Sequence, residues 1–260
     1  MLRCGACLAA LALAALVASP VFADETEDFM KKVDGLRYSP AEHGLKDFKV
    51  QVKNSMFAMN PAMAQMQVFV YWKAPDKSAA KIEGVEGAMA AQMAPMADSM
   101  KAMAKMIVPE PMSMMREKFD YTLTKEDGMV VLIGVPKPGT DEAGAITQTK
   151  TWFDDRGLPV RLLSEGKSAS NMEMTYVEKE GKFLIETTKG EVETGQMGKQ
   201  AMTMTFSYTQ IEGMWFPEAL TQEVMGMKID MSFAGYEINK GLDDALFEET
   251  APVGPDDDAK

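Results

Sequence analysis

Apolar and polar residues alternate along most of this chain, and the alternation predicts strands. Residues 47–59, DFKVQVKNSMFAM, set Phe48, Val50 and Val52 against Lys49, Gln51 and Lys53, the pattern of a half-buried strand. Asn60-Pro61 marks a turn, and MQVFVYWKAP returns with Met66, Val68, Val70 and Trp72 on one face. Residues 78–84 add a candidate third strand. Residues 119–136 read as a hairpin around Asp127-Gly128, a strong two-residue turn signal. Residues 145–166 turn between Asp154 and Gly157, residues 171–192 near Glu180-Gly181, and residues 200–238 twice more, at Glu212-Gly213 and Met225-Gly226. Hairpins in succession with little helix between them describe an antiparallel meander.

About a dozen strands exceed what an open twisted sheet carries without curling, so a barrel or part of one is expected. Several strands are apolar on one face: Met172, Met174 and Tyr176; Met202, Met204, Phe206 and Tyr208; Met227, Ile229, Met231 and Phe233. Their other faces carry Glu173, Thr175, Thr203, Thr205, Lys228 and Asp230. A greasy face needs a cover.

Two segments keep a helical period instead. Residues 24–36, DETEDFMKKVDGL, place acids first and lysines later, with Phe29, Met30 and Val33 on one side, which suits a short helix with both dipole ends matched. Residues 89–106, MAAQMAPMADSMKAMAKM, set Met89, Met93, Met96, Met100 and Met103 within an arc of about 80°. Asp98, Lys101 and Lys105 lie opposite, and Pro95 predicts a kink or a fresh first turn. The expected picture is a hinged methionine flap over a curved sheet.

The ends and the charge narrow the setting. Arg3, the apolar run Leu8–Val17, the break at Ser19-Pro20 and the small-residue site Val21-Phe22-Ala23 predict a secretory signal peptide over residues 1–23, with the mature chain beginning at Asp24 in the periplasm. Residues 24–252 are expected to form one domain and residues 253–260 a disordered acidic tail. Cys4 and Cys7, the two cysteines of the chain, both precede the apolar run; a lipid-attachment cysteine would follow it. The full chain carries 27 Lys+Arg against 39 Asp+Glu, a net charge of −12, or −13 once Arg3 leaves with the signal. An acidic chain without a basic cluster argues against nucleic acid as a partner.

The segments VYWKAPDK at 70–77, TKTWFDDRGLPVRL at 149–162, IEGMWFPEAL at 211–220 and FAGYEINKGLDDALFEETAP at 233–252 together resemble the periplasmic lipoprotein-sorting carriers (LolA/LolB-like proteins). The resemblance spans nearly all of the mature chain. It implies a mainly β (α+β) fold, an unclosed antiparallel β-barrel of about eleven strands with a helical lid over an apolar cavity. It implies lipid or lipoprotein acyl chains as ligands and a membrane-bound protein as donor or acceptor. One departure stands out: Ser78 and Ala79 occupy the place where the carriers set an arginine that ties lid to barrel.

Candidate chemistry is sparse. His43, the single histidine, sits in a loop between a proline and a glycine, with no second histidine to share a metal. No nucleophile elbow, phosphate loop or His-Glu-x-x-His is present. Asp154-Asp155 and Asp243-Asp244 stand where turns and helix starts favour aspartate. A non-enzymatic binding protein without a cofactor is expected. Its ligand-binding surface is expected from Met89, Met93, Met96, Met100 and Met103 on the flap and Met172, Met174, Met202, Met204, Phe206 and Met231 on the sheet. Flexible, polarisable thioethers re-pack around alkyl chains. Two other readings stay open: a static core, and Cu(I) binding by the Met-x-Met-like clusters PMSMM, NMEM, AMTM and MGM. A ligand sensor on the same fold would carry the same residues.

Overall fold

A computed structural model describes residues 20–60, 63–85, 88–140, 142–167, 169–193 and 198–248. The expected tail and the first 19 residues of the expected signal peptide lie outside the described residues. The helices are α1 (Pro20–Leu36), α2 (Ser55–Met59), α3 (Ala88–Ile107) and α4 (Glu142–Ala145). The strands are β1 (Asp47–Asn54), β2 (Gln67–Lys73), β3 (Lys77–Glu83), β4 (Phe119–Glu126), β5 (Met129–Pro136) and β6 (Ile146–Phe153). They continue with β7 (Pro159–Gly166), β8 (Ser170–Lys179), β9 (Lys182–Glu193), β10 (Lys199–Ile211), β11 (Met214–Val224) and β12 (Met227–Ile238).

All twelve strands belong to one antiparallel sheet, in the order β3-β2-β1-β12-β11-β10-β9-β8-β7-β6-β5-β4. The sheet is a meander from β4 to β12 whose last strand pairs with β1. β3 and β4 are left as unjoined edges, so the barrel is open. The candidate third strand over residues 78–84 is present as the edge strand β3, Lys77–Glu83, and the sheet holds twelve strands, in line with the open barrel expected. Four of the turns have positive φ at both central residues, Asp127-Gly128, Glu180-Gly181, Glu212-Gly213 and Met225-Gly226. This left-handed pair matches the twist of the flanking strands, so the X-Gly signals in the sequence place these hairpins.

Curvature comes from irregular register. Pairing slips between Thr175 and Tyr176 in β8 and between Ser207 and Tyr208 in β10, and such bulges bend a strand and increase its twist. Tyrosines on the inner face restore the hydrogen bonding there. Tyr176 donates to the Pro159 carbonyl at 2.6 Å, Tyr208 to that of Ile185 at 2.6 Å and Tyr236 to that of Pro217 at 2.8 Å. Each hydroxyl thus satisfies a carbonyl of the preceding strand, and the aromatic bodies fill the interior.

The concave face is filled unequally. Over β1–β3 and β10–β12, α3 lies against the sheet and forms one continuous core: Met103, Ala104, Ile107 and Val108 pack with Val50, Val68, Val70, Trp72, Phe216, Leu220 and Phe233. Pro95 sits inside α3 without dividing it. Over β4–β6, α1 supplies Met30 and Val33 to a smaller cluster with Leu132 and Phe153, and Phe29 meets Phe153 edge-on at 4.9 Å. α1 begins at Pro20 rather than at Asp24. It covers only part of its half of the sheet, and a cavity remains beyond it.

Candidate ligand cavity

The wall of this cavity is built from inward-facing positions of six consecutive strands. β4 contributes Phe119 and Tyr121, β5 Leu132, β6 Ile146, Thr149 and Thr151, β7 Pro159, Leu162 and Ser164, β8 Ser170, Met174 and Tyr176, and β9 Ile185. Its volume is about 490 Å³, within the range of roughly 300–1,000 Å³ usual for small-molecule sites. The two-residue period of a strand puts these side chains on one surface, and the curl of the sheet brings six strands around one space.

The roof is the 3-10 helix Met112–Glu117, which follows α3. Residues three apart eclipse in a 3-10 helix, so Met112 and Met115 both face the cavity. The roof is tied to α1. Asp34 accepts the backbone N–H groups of Met112 at 2.6 Å and Ser113 at 2.9 Å. At its other end Arg116 pairs with Glu27, which also pairs with Lys31 at 2.6 Å. Lys31 and Arg116 hold the Glu27 carboxyl below its ordinary range.

Two charged side chains line the space, Arg37 at the end of α1 and Glu142 at the start of α4. Glu142 is met by Lys118 at 3.3 Å; its own backbone N–H, then Lys118, lower its pKa against the opposing effect of burial. Burial pushes the Tyr121 phenol up to about 12, with a smaller contribution from Glu142, and burial also raises Tyr176. Both phenols stay neutral at physiological pH and can only exchange hydrogen bonds. Among the described residues no group of three or more His, Cys, Asp or Glu is placed to hold a metal.

The residues expected from the sequence do not share one site. Met174 lines the cavity. Met103 and Met231 are buried in the α3 core, with Met100, Met204 and Phe206 packed against it. Met172 of β8 and Met202 of β10 flank Gly190 of the intervening β9, and Met174 and Met204 flank Thr188, so the four methionines lie in two cross-strand rows with β9 between them. Met93 and Met96 are half-buried on α3, and the Met89 side chain lies outside the described residues. The flap over the cavity is therefore the PMSMM segment and not α3. Its signal in the sequence is the i, i+3 spacing of Met112 and Met115. The inner threonines and serines of β6–β8 disguise the rest of the wall, because they break the apolar alternation that marks an inward face.

The fold and site define an open antiparallel β-barrel with an apolar cavity under a short helical roof. No protein-family model matches the chain, and no curated protein matches it. Several solved chains are similar to it, two of them at low identity. One is described as an outer membrane lipoprotein-sorting protein domain from Vibrio parahaemolyticus, 10% identical, with a TM-score of 0.36, covering 86% of this chain and 97% of that one. The other is a DUF1329 family protein from Desulfovibrio piger ATCC 29098, 13% identical, with a TM-score of 0.36, covering 87% of this chain and 97% of that one. Similarity at this level carries no ligand or partner across.

Proposed function

We propose that this protein is an exported, non-enzymatic binding protein that takes the alkyl chain of a lipid or of a lipoprotein into the cavity. It would work in the periplasm and release its ligand to a membrane-bound acceptor. The observation that carries this reading is the apolar space of about 490 Å³ between β4–β9 and the Met112–Glu117 roof. Each methylene moved from water into such a wall is worth ~0.8 kcal/mol, so ten contribute about 8 kcal/mol. That is comparable to the roughly 4–15 kcal/mol lost on association. The methionine roof can re-pack around chains of different shape. Release needs a hinge, and a short 3-10 segment tied to α1 by a few polar contacts is a ready one. Met56, Met59, Met225 and Met227 are exposed at the end of the sheet where α2 adjoins the β11–β12 turn, a surface suited to handing an apolar cargo to a partner.

Native mass spectrometry of protein purified from the periplasm without detergent tests the reading. An added mass that fragments into a lipid or an acylated peptide supports it, whereas apo-protein that takes up no lipid on incubation with vesicles counts against it. One observation favours a second reading: Met112, Met115 and Met174 line the same cavity, and thioethers select Cu(I). Copper adding in whole-ion steps to lipid-free protein would favour that alternative.

A further inference from the structure

Of the two charges in the cavity wall, one is unmatched. Glu142 has Lys118. The Arg37 guanidinium, among the described residues, has no carboxylate at ion-pair distance and donates no hydrogen bond, although it lines the cavity. A partly desolvated cation without a counter-ion is unfavourable, and this one sits in a chain of net charge −12 that supplies many acids. Ion pairs have formed on either side of it, at Lys31–Glu27 and at Lys182–Glu42.

The two charges also mark opposite ends. Arg37 bridges to Phe183 beside the β8–β9 turn, the end where Tyr176 reaches Pro159. Glu142 precedes Ile146, which pairs with Gly166 at the far end of β7. Between Pro159 and Ser164, both in the wall, β7 advances roughly 17 Å at ~3.3 Å per residue. Leu132, Leu162, Met174 and Ile185 line that interval. The cavity is thus an apolar trough with a free guanidinium at one end and a carboxylate at the other.

We propose that Arg37 anchors the anionic head, a carboxylate or a phosphate, of a single-chain amphiphile whose alkyl tail runs along β7 toward Glu142. The proposal rests on the cavity reading above and adds the head group and the direction of the bound chain. A guanidinium presents a planar fork of donors that meets either anion with two parallel hydrogen bonds, whereas at the other end the Glu142 carboxylate, already paired with Lys118, offers an anion no donor of its own. The neutral phenol of Tyr176 borders the same end without competing for the anion, because its proton is already given to Pro159.

The test is calorimetric titration of delipidated full-length protein with decanoate, decyl phosphate and 1-decanol. At least one anion binds about 10- to 100-fold more tightly than the alcohol, the range for a charge-assisted contact. Preference for decanoate points to a fatty-acid head, and preference for decyl phosphate to a phosphate-bearing lipid. Arg37→Gln brings the anions to the level of the alcohol, and Arg37→Lys keeps part of the preference; thermal melts of both variants check folding. If the alcohol binds as tightly as both anions, or Arg37→Gln leaves the ratio unchanged in a folded protein, the anchor is wrong while the cavity stands. If no alkyl compound binds, the cavity reading falls and the anchor with it.

Discussion

Removing the Asp34 carboxylate should loosen the roof of the cavity without unfolding the barrel. In Asp34→Ala, the N–H groups of Met112 and Ser113 lose acceptors now at 2.6 and 2.9 Å. Buried charge-assisted bonds are worth roughly 1.5–3 kcal/mol each. These are only part-buried, and first-turn N–H groups regain water when the cap is lost, so the loss of a helix cap, about 1–2 kcal/mol, is the better guide. The Arg116–Glu27 pair remains but is half-exposed, and such pairs contribute less than about 1 kcal/mol. The segment 112–117 should therefore open about 5- to 30-fold more often. Amide hydrogen exchange reads this directly: peptides covering 111–118 exchange faster by that factor, while those covering β10 and β11 change little. A bound alkyl ligand should leave faster by a similar factor if roof opening limits release. Unchanged exchange at 112–117 would refute the idea that Asp34 clamps the roof. A uniform acceleration across the sheet would refute the separation of roof from barrel.

Other substitutions probe the same layout. Met103→Ala, in the closed α3 core, should destabilise by about 2–5 kcal/mol in urea titrations and leave ligand affinity intact; a large affinity loss in the folded variant would return α3 to the binding site. Leu162→Asp, in the cavity wall, should abolish binding of alkyl ligands as read by calorimetry while strand content by circular dichroism persists. Gly190→Ala would set its methyl group on the Asn171 carbonyl, since β8 and β9 approach closely there. Forcing that contact should cost roughly 1–3 kcal/mol, and a urea midpoint unmoved from wild type contradicts it. Asp154 tests pH linkage. Burial pushes its pKa up, but the Leu158 N–H, the Arg156 side chain and the Arg156 N–H together bring it below the ordinary value. A lowered folded pKa means stability that is present above about pH 4 and is lost as pH falls through the folded value. Asp154→Asn should therefore lose stability less steeply than wild type below about pH 4, and identical slopes would exclude the contribution.

Much of the architecture was legible in the residues because strands carry a period of two and tight hairpins need glycine in the left-handed region. Asp127-Gly128, Glu180-Gly181, Glu212-Gly213 and Met225-Gly226 place four hairpins that the structure forms with positive φ at both positions. The apolar faces of β1, β2 and β10–β12 point to the core as the alternation requires. Local sequence could not decide which methionines face a packed core and which a space. Met103 and Met115 are chemically alike, yet Met103 is buried by strands distant in sequence, whereas Met115 roofs a gap that α1 is too short to fill. Arg37 illustrates the same limit. Nothing near it in sequence marks it as special; it becomes so because β9 brings Phe183 beside it and, among the described residues, no carboxylate pairs with it. Alternation and turn chemistry are short-range properties, and they determined the strands. Whether a side chain ends against another side chain or against a cavity depends on how two covers of unequal length share one curved sheet, and only the tertiary structure decided that.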